Sequence, residues 1–211
     1  MRRRALTLLA GTLAGTLTCG AATSQTVQSP VLNNQVQLGD VFSSQTLNVE
    51  TVTDQTVGAA NAKGNDYAAS ADGQDIDIRS NQTANGSVSA RAVLNVGASS
   101  GPTTSLTSTA AGNAGQAAVS GGVLTGVLTQ INGGPAVSAV SHIEAPHGAA
   151  GDVDVNTQAS GNSHVLAVTN GTSGARFNQT NGAQVTSDGG GVYGLVTGSS
   201  RFQALTTGND V

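Results

Sequence analysis

Residues 109–122 read TAAGNAGQAAVSGG, and residues 158–171 read QASGNSHVLAVTNG. Aligned 49 residues apart, they share Ala, Gly, Asn, Ala, Val and Gly at equal positions. Self-similarity at a fixed offset is the signature of a repeat architecture, in which each unit is stabilised by its neighbours. Outward from this pair, a shorter motif recurs: Gln, two variable residues, Gly, often then Asn. It stands as Gln55-Thr56-Val57-Gly58, Gln130-Ile131-Asn132-Gly133, Gln158-Ala159-Ser160-Gly161-Asn162 and Gln179-Thr180-Asn181-Gly182. Thr replaces Gln in Thr109-Ala110-Ala111-Gly112-Asn113 and Thr206-Thr207-Gly208-Asn209, and Gln82-Thr83-Ala84-Asn85-Gly86 is one residue longer. The starts, at 55, 82, 109, 130, 158, 179 and 206, are spaced by 27, 27, 21, 28, 21 and 27 residues.

Between the motifs the hydrophobic period is two. Val88, Ala90, Ala92, Leu94 and Val96 alternate with Ser89, Arg91, Val93 and Asn95, and Ile76 and Ile78 alternate with Asp75, Asp77 and Arg79. This is strand periodicity. Gly121-Gly122, Gly133-Gly134 and Gly189 to Gly191 punctuate the strands as turns. Only four prolines interrupt the chain, which suits continuous ladders. The spacing predicts an all-β fold, a β-solenoid of about seven coils of 21–28 residues. From Gln28 onward this would make a rod about 35 Å long, at about 4.8 Å per coil. In that arrangement the repeated amides stack into ladders. The candidate ladder and corner positions are Gln55, Gly58, Gln82, Gly112, Asn113, Gln130, Gly133, Gln158, Gly161, Asn162, Gln179 and Gly182. Two alternatives stay open: strand–turn–strand units of an amyloid-like fibre, and a disordered chain.

Composition narrows the function classes. Gly, Thr, Ser, Asn and Gln account for 105 of 211 residues, charged residues for 9% and aromatics for 2%, with no Trp. An ordinary globular enzyme of this length carries several buried aromatics. A narrow solenoid interior filled by Val, Ala and Ile does not need them.

The first segment reads as an export signal. Met1-Arg2-Arg3-Arg4 is basic, and Ala5 to Leu17 is uncharged and too short to span a bilayer. Small residues from Gly20 to Ser24 follow as a cleavage region, so residues 1–22 are assigned to a signal peptide. Cys19, the only cysteine, is a poor lipoprotein acceptor because Thr16 and Thr18 precede it. Without the signal, five basic residues face twelve acidic ones, a net charge of −7. Nucleic acid is excluded as a partner for want of a basic footprint. No transmembrane helix is expected in the mature chain. Residues 23–54 lack the Gly motif and read as an N-terminal segment or cap. Residues 55–211 form the repeat region, whose last unit opens at Thr206 and breaks off, as in a fragment or an end covered by a partner.

Candidate chemistry is sparse. His142, Glu144 and His147 could suggest a metal site, but strand alternation sends His147 to the other face. All three histidines, His164 included, are expected on the solvated surface. Asp66, Asp72, Asp75 and Asp77 cluster around Gly73 without the calcium-binding nonapeptide of β-rolls. Asp75 with Asp77, and Asp152 with Asp154, are pairs that a polysaccharide-cleaving β-helix would use. Solubilising outward acids are the simpler reading. No catalytic, cofactor-binding or metal-binding residue is assigned. Thr rows of an ice-binding solenoid are not found beyond Thr51-Val52-Thr53.

The signal peptide, Asn34-Gln35-Val36-Gln37-Leu38-Gly39-Asp40-Val41, Asp75-Ile76-Asp77-Ile78-Arg79-Ser80-Asn81-Gln82-Thr83 and the Gln-x-x-Gly-Asn units together resemble the holdfast anchor proteins of the HfaD family. The resemblance covers most of the mature chain. It implies a non-enzymatic, exported protein at the outer membrane and cell surface that anchors an extracellular polysaccharide, the holdfast. It also implies partners among other holdfast anchor proteins, one curlin-like and one related to the curli secretion lipoprotein. A curlin-like fibre subunit is the main alternative and a polysaccharide-cleaving enzyme a lesser one.

Overall fold

The computed structural model describes residues 29–211; the signal-peptide segment 1–22 and Cys19 lie outside the described residues. Among the described residues, alternating polar and small apolar residues produce twelve strands and no helix: β1 (Ser29–Gln37), β2 (Val41–Thr51), β3 (Gln55–Asp72), β4 (Ile76–Ala84), β5 (Val88–Ser99), β6 (Thr103–Ser120), β7 (Val123–Asn132), β8 (Ala136–Ala150), β9 (Asp152–Thr169), β10 (Thr172–Asn181), β11 (Gln184–Val196) and β12 (Ser200–Asp210). Every third strand pairs in parallel. Sheet A runs β1-β4-β7-β10, sheet B β2-β5-β8-β11 and sheet C β3-β6-β9-β12. The chain is a three-sheet β-solenoid.

One turn of the coil is 47–49 residues. Ser29 pairs with Ile76, Ile76 with Leu124 and Val123 with Thr172. The described residues therefore make four wide coils, about 19 Å of axis, and not seven narrow ones. The short spacing has a clear origin. Gln130-Ile131-Asn132 ends a strand of sheet A, whereas Gly112-Asn113 and Gly161-Asn162 lie in the middle of sheet C strands. Two different places in one coil carry similar letters, which halves the apparent period. The 49-residue offset is the true one. Residues 29–51, within the segment expected to be a cap, supply β1 and β2, which pair in register with β4 and β5.

Three of the sheet C strands, β3, β6 and β9, have 18 residues each, about twice the 9–10 of sheet A, because they serve two cores. Leu106 and Ala110 in the first half of β6 pack with Ala90, Leu94, Val137 and Ile143 of sheet B. Ala117 and Val119 in the second half pack with Ile76, Ile78, Leu124 and Leu128 of sheet A. The inward residues are even-numbered before the middle and odd-numbered after it, so the strand bends there. Glycine is required at the bend: a Cβ on Gly112 would lie 2.5 Å from Asn132 Nδ2 and from the Gly161 carbonyl oxygen. The two lobes are thin, which is why alanine suffices in them.

Corners repeat from coil to coil. Between sheets C and A, Gly73 (φ 64°), Gly121 (φ 69°) and Asn170 (φ 53°) all take the left-handed conformation. Acids begin the next strand at each kind of corner. Asp40 Oδ1 accepts Ser87 N–H at 2.7 Å, Asp75 Oδ1 accepts Val123 N–H at 2.9 Å, and Asp152 Oδ1 accepts Ser199 N–H at 2.8 Å. Each carboxylate thus satisfies a backbone donor one coil onward.

Candidate functional site

Two buried amide columns stand at the seam between the lobes. Gln35, Gln82, Gln130 and Gln179 project from sheet A. Gln82 Nε2 donates to Gln35 Oε1 at 2.8 Å, Gln130 to Gln82 at 2.8 Å, and Gln179 to Gln130 at 2.7 Å. The second hydrogen of each crosses the seam, from Gln82 to the Ala114 carbonyl at 2.9 Å and from Gln130 to that of Ser163 at 3.2 Å. Asn65, Asn113, Asn162 and Asn209 answer from sheet C. Asn65 Nδ2 donates to Asn113 Oδ1 at 2.7 Å, Asn113 to Asn162 at 2.8 Å, and Asn162 to Asn209 at 2.7 Å. Their second hydrogens return to sheet A, from Asn113 to the Ile131 carbonyl at 3.0 Å and from Asn162 to that of Thr180 at 2.9 Å. Each sheet donates to the carbonyls of the other, so the lobes are clamped reciprocally. Gln82 and Asn113 are fully buried, and neither amide proton of either is left without an acceptor.

Of the positions singled out in the sequence, Gln82, Gln130 and Gln179 come together in one column and Asn113 and Asn162 in the other. Gly112 and Gly161 make the bend that admits the second column. Gly133 and Gly182 turn the corner from sheet A to sheet B, donating to the Ala84 and Asn132 carbonyls. Gln55 and Gly58 lie elsewhere, at the start of β3 opposite Thr103 and Leu106. There Gly58 leaves room for Leu106 and Leu47. Gln158 pairs with Thr109 on the outer face of sheet C. Missed were Gln35 and Asn65, each one coil before a recognised member, Asn209, one coil after Asn162, and Asn132 with Asn181, joined at 3.0 Å.

His164 corrects the surface reading of the histidines. It is 2% exposed. Its Nε2 lies 2.6 Å from Tyr67 Oη, and its ring centroid lies 4.9 Å from that of Phe177. Tyr67, Gly115 and His164 occupy one column, and Gly115, lacking a side chain, gives the two rings room to meet across it. Burial pushes the His164 pKa down to about 4 and that of Tyr67 up to about 12. His142 Nε2 and Glu144 Oε2, 3.3 Å apart, remain outside.

The acidic groups disperse into separate tasks. Asp66 pairs with Lys63, Asp77 with Arg79, and Asp75 caps a corner. The Ser199 backbone N–H, followed by its hydroxyl, holds the Asp152 carboxyl below the usual range. Among the described residues no three His, Cys, Asp or Glu side chains come together as a metal site. No described helix is long and apolar enough to cross a membrane.

The bend that buries the Asn column makes the outer face of sheet C concave. A groove of about 370 Å³ runs across the rungs there. Ala111, Ala114 and Ser160, each 9% exposed or less, form its floor. Thr109 and Gln158 line one wall, Gln116 and Val165 the other, and the Lys63–Asp66 pair, 2.8 Å apart, sits at the rim. Successive coils place like positions about 4.8 Å apart along this groove: Thr109 and Gln158 stand one above the other, whereas Ala111 lies beside Ser160, Ala114 beside Ser163 and Gln116 beside Val165.

Comparison with curated proteins and with solved structures gives no match. The family described as holdfast attachment protein D, HfaD, matches residues 50–211, most of the chain, including all of its sheet C strands and every residue of the groove. On this match over most of its length, the chain belongs to the HfaD family of holdfast attachment proteins.

Proposed function

We propose that the chain is an exported, non-enzymatic surface protein that anchors the holdfast polysaccharide at the outer membrane, and that the concave face of sheet C meets the polymer. The observation that carries this reading is the groove, where Thr109 and Gln158 stand on successive coils and Gln116, Ser160 and Ser163 add further hydroxyl and carboxamide groups. Single hydrogen bonds to a sugar exchange for bonds to water and are weak. A row of them on a stiff frame gains strength by multivalency. Family membership supports the holdfast as the polymer. The other anchor proteins, one curlin-like and one like the curli secretion lipoprotein, are the proposed protein partners.

The test is genetic. Cells lacking the chain are expected to shed holdfast into the medium while continuing to make it, and restoration of the gene returns it to the cell surface. Holdfast retained on the deletion strain would refute the anchoring role. The in-register amide columns also favour a second reading, a curlin-like fibre subunit. SDS-resistant, thioflavin-binding polymers of the purified chain would support that reading, and a soluble monomer would count against it.

A further inference from the structure

The polar groups of the groove differ from the columns behind them. Inside, both amide hydrogens of Gln82, Gln130, Asn113 and Asn162 are committed. Outside, the side chains of Thr109, Gln116, Gln158, Ser160 and Ser163 hydrogen-bond to no described residue. All five are uncharged, and each can donate and accept. The charged pair at the rim is closed on itself, and Lys63 is the only lysine of the chain. Around this neutral strip, residues 29–211 hold twelve acidic side chains against five basic ones. Their summed field disfavours the approach of a polyanion.

Resting on the reading of this groove as the polymer site, we propose that it receives an uncharged polysaccharide segment lying along the solenoid axis. The sugar hydroxyls exchange water for Thr109, Gln158 and Ser160. An acidic polymer would find the lysine already occupied by Asp66 and would approach an excess of negative charge. An amino-bearing polymer would be drawn by the acidic excess at a distance, but within the groove it would meet Lys63 and a carboxylate that is already paired. Uncharged segments meet neither obstacle, and their binding releases no counterions, so it is indifferent to salt.

The experiment uses the full exported chain and holdfast material recovered from culture medium as the probe. Binding is measured from about 0.01 M to about 1 M salt, over which the screening length falls from about 30 Å to about 3 Å. The wild type is expected to change by less than about twofold across that range, since the bonds are between neutral groups. Lys63→Ala is expected to stay within the same limit. A variant combining Thr109→Ala, Gln158→Ala and Ser160→Ala, with an unchanged circular dichroism spectrum, is expected to lose about tenfold or more, from three lost hydrogen bonds. A larger loss in salt, accompanied by loss in the triple variant, overturns the uncharged class while leaving the groove as the binding site. Weaker binding by Lys63→Ala then identifies an acidic polymer, and tighter binding an amino-bearing one. Binding that the triple variant retains, or no binding at all, overturns the groove reading and this inference with it.

Discussion

Replacing Asn113 with alanine tests the central seam. The side chain is fully buried and makes three hydrogen bonds. Its removal leaves an Asn65 amide hydrogen, the Ile131 carbonyl and the Asn162 Oδ1 without their partner. A buried polar group deprived of its partner costs about 1–3 kcal/mol. Part of that is recovered by the carbonyl's remaining bonds and by water entering the space. We therefore expect about 3–5 kcal/mol of destabilisation, a large share of the roughly 5–15 kcal/mol available to a domain. The control is Asn95→Ala. Asn95 Nδ2 donates to Asn48 Oδ1 at 2.7 Å in a column of the same geometry, but on the exposed face of sheet B. Removing it is expected to cost less than about 1 kcal/mol, because water replaces the lost partner. Urea unfolding followed by far-ultraviolet circular dichroism, with the slope compared between variants, gives both values. Equal costs at the two sites would refute the idea that the buried columns clamp the lobes, since geometry without burial would then explain both.

Other expectations follow from the same structure. Gly115→Ala would place a Cβ 2.5 Å from Tyr67 Cε1 and 2.8 Å from His164 Cδ2, and is expected to cost about 1–3 kcal/mol in urea unfolding, as overpacking does. The His164 pKa lies near 4 when folded against an ordinary 6.5. The unfolded chain therefore binds the proton more readily, and stability present above about pH 6.5 falls as pH drops toward 4, by no more than about 3 kcal/mol. A variant with Phe at 164 should lose that part of the pH dependence in equilibrium unfolding. Gly121 is left-handed at φ 69°, so Gly121→Ala is expected to cost about 1–2 kcal/mol. Gly121→Asn should cost less, because Asn170 already holds the equivalent corner; the two melting temperatures compare them.

Strand alternation was legible at Val88–Val96 and Ile76–Ile78 because both faces differ in polarity there, and the structure has strands at both. The amide columns were legible at Gln82, Gln130, Gln179, Asn113 and Asn162 because stacking makes each coil repeat the same letter. The coil length was not, since Gln-x-Asn-Gly at the end of sheet A and Gly-Asn at the bend of sheet C look alike while standing in different environments. Gln55-x-x-Gly58 matched by composition alone. The burial of His164 was not legible, since its neighbours Ser163 and Val165 give no sign of it. Its place depends on Gly115, one coil away, and on Phe177 in another sheet. The groove depends on the bend, whose only local sign is a Gly-Asn pair, and the uncommitted state of Thr109 and Gln158 exists only once the inner amides are seen to be paired.

The 47–49-residue turn has a consequence for how such a chain changes in length. A single residue inserted within a strand exchanges its inner and outer faces and throws Gln or Asn out of its column. Small differences, such as 47 against 48 or 49, are absorbed where the chain turns and at the register shifts near the ends of the sheet B strands, at Val49/Thr51, Asn95/Ser99 and Tyr193/Leu195. A whole additional turn disturbs nothing: it adds one member to each column, one strand to each sheet and one more step to the groove. Duplication in units of one turn is thus the tolerated step of growth, and reach along the axis and number of polymer contacts rise together with each one.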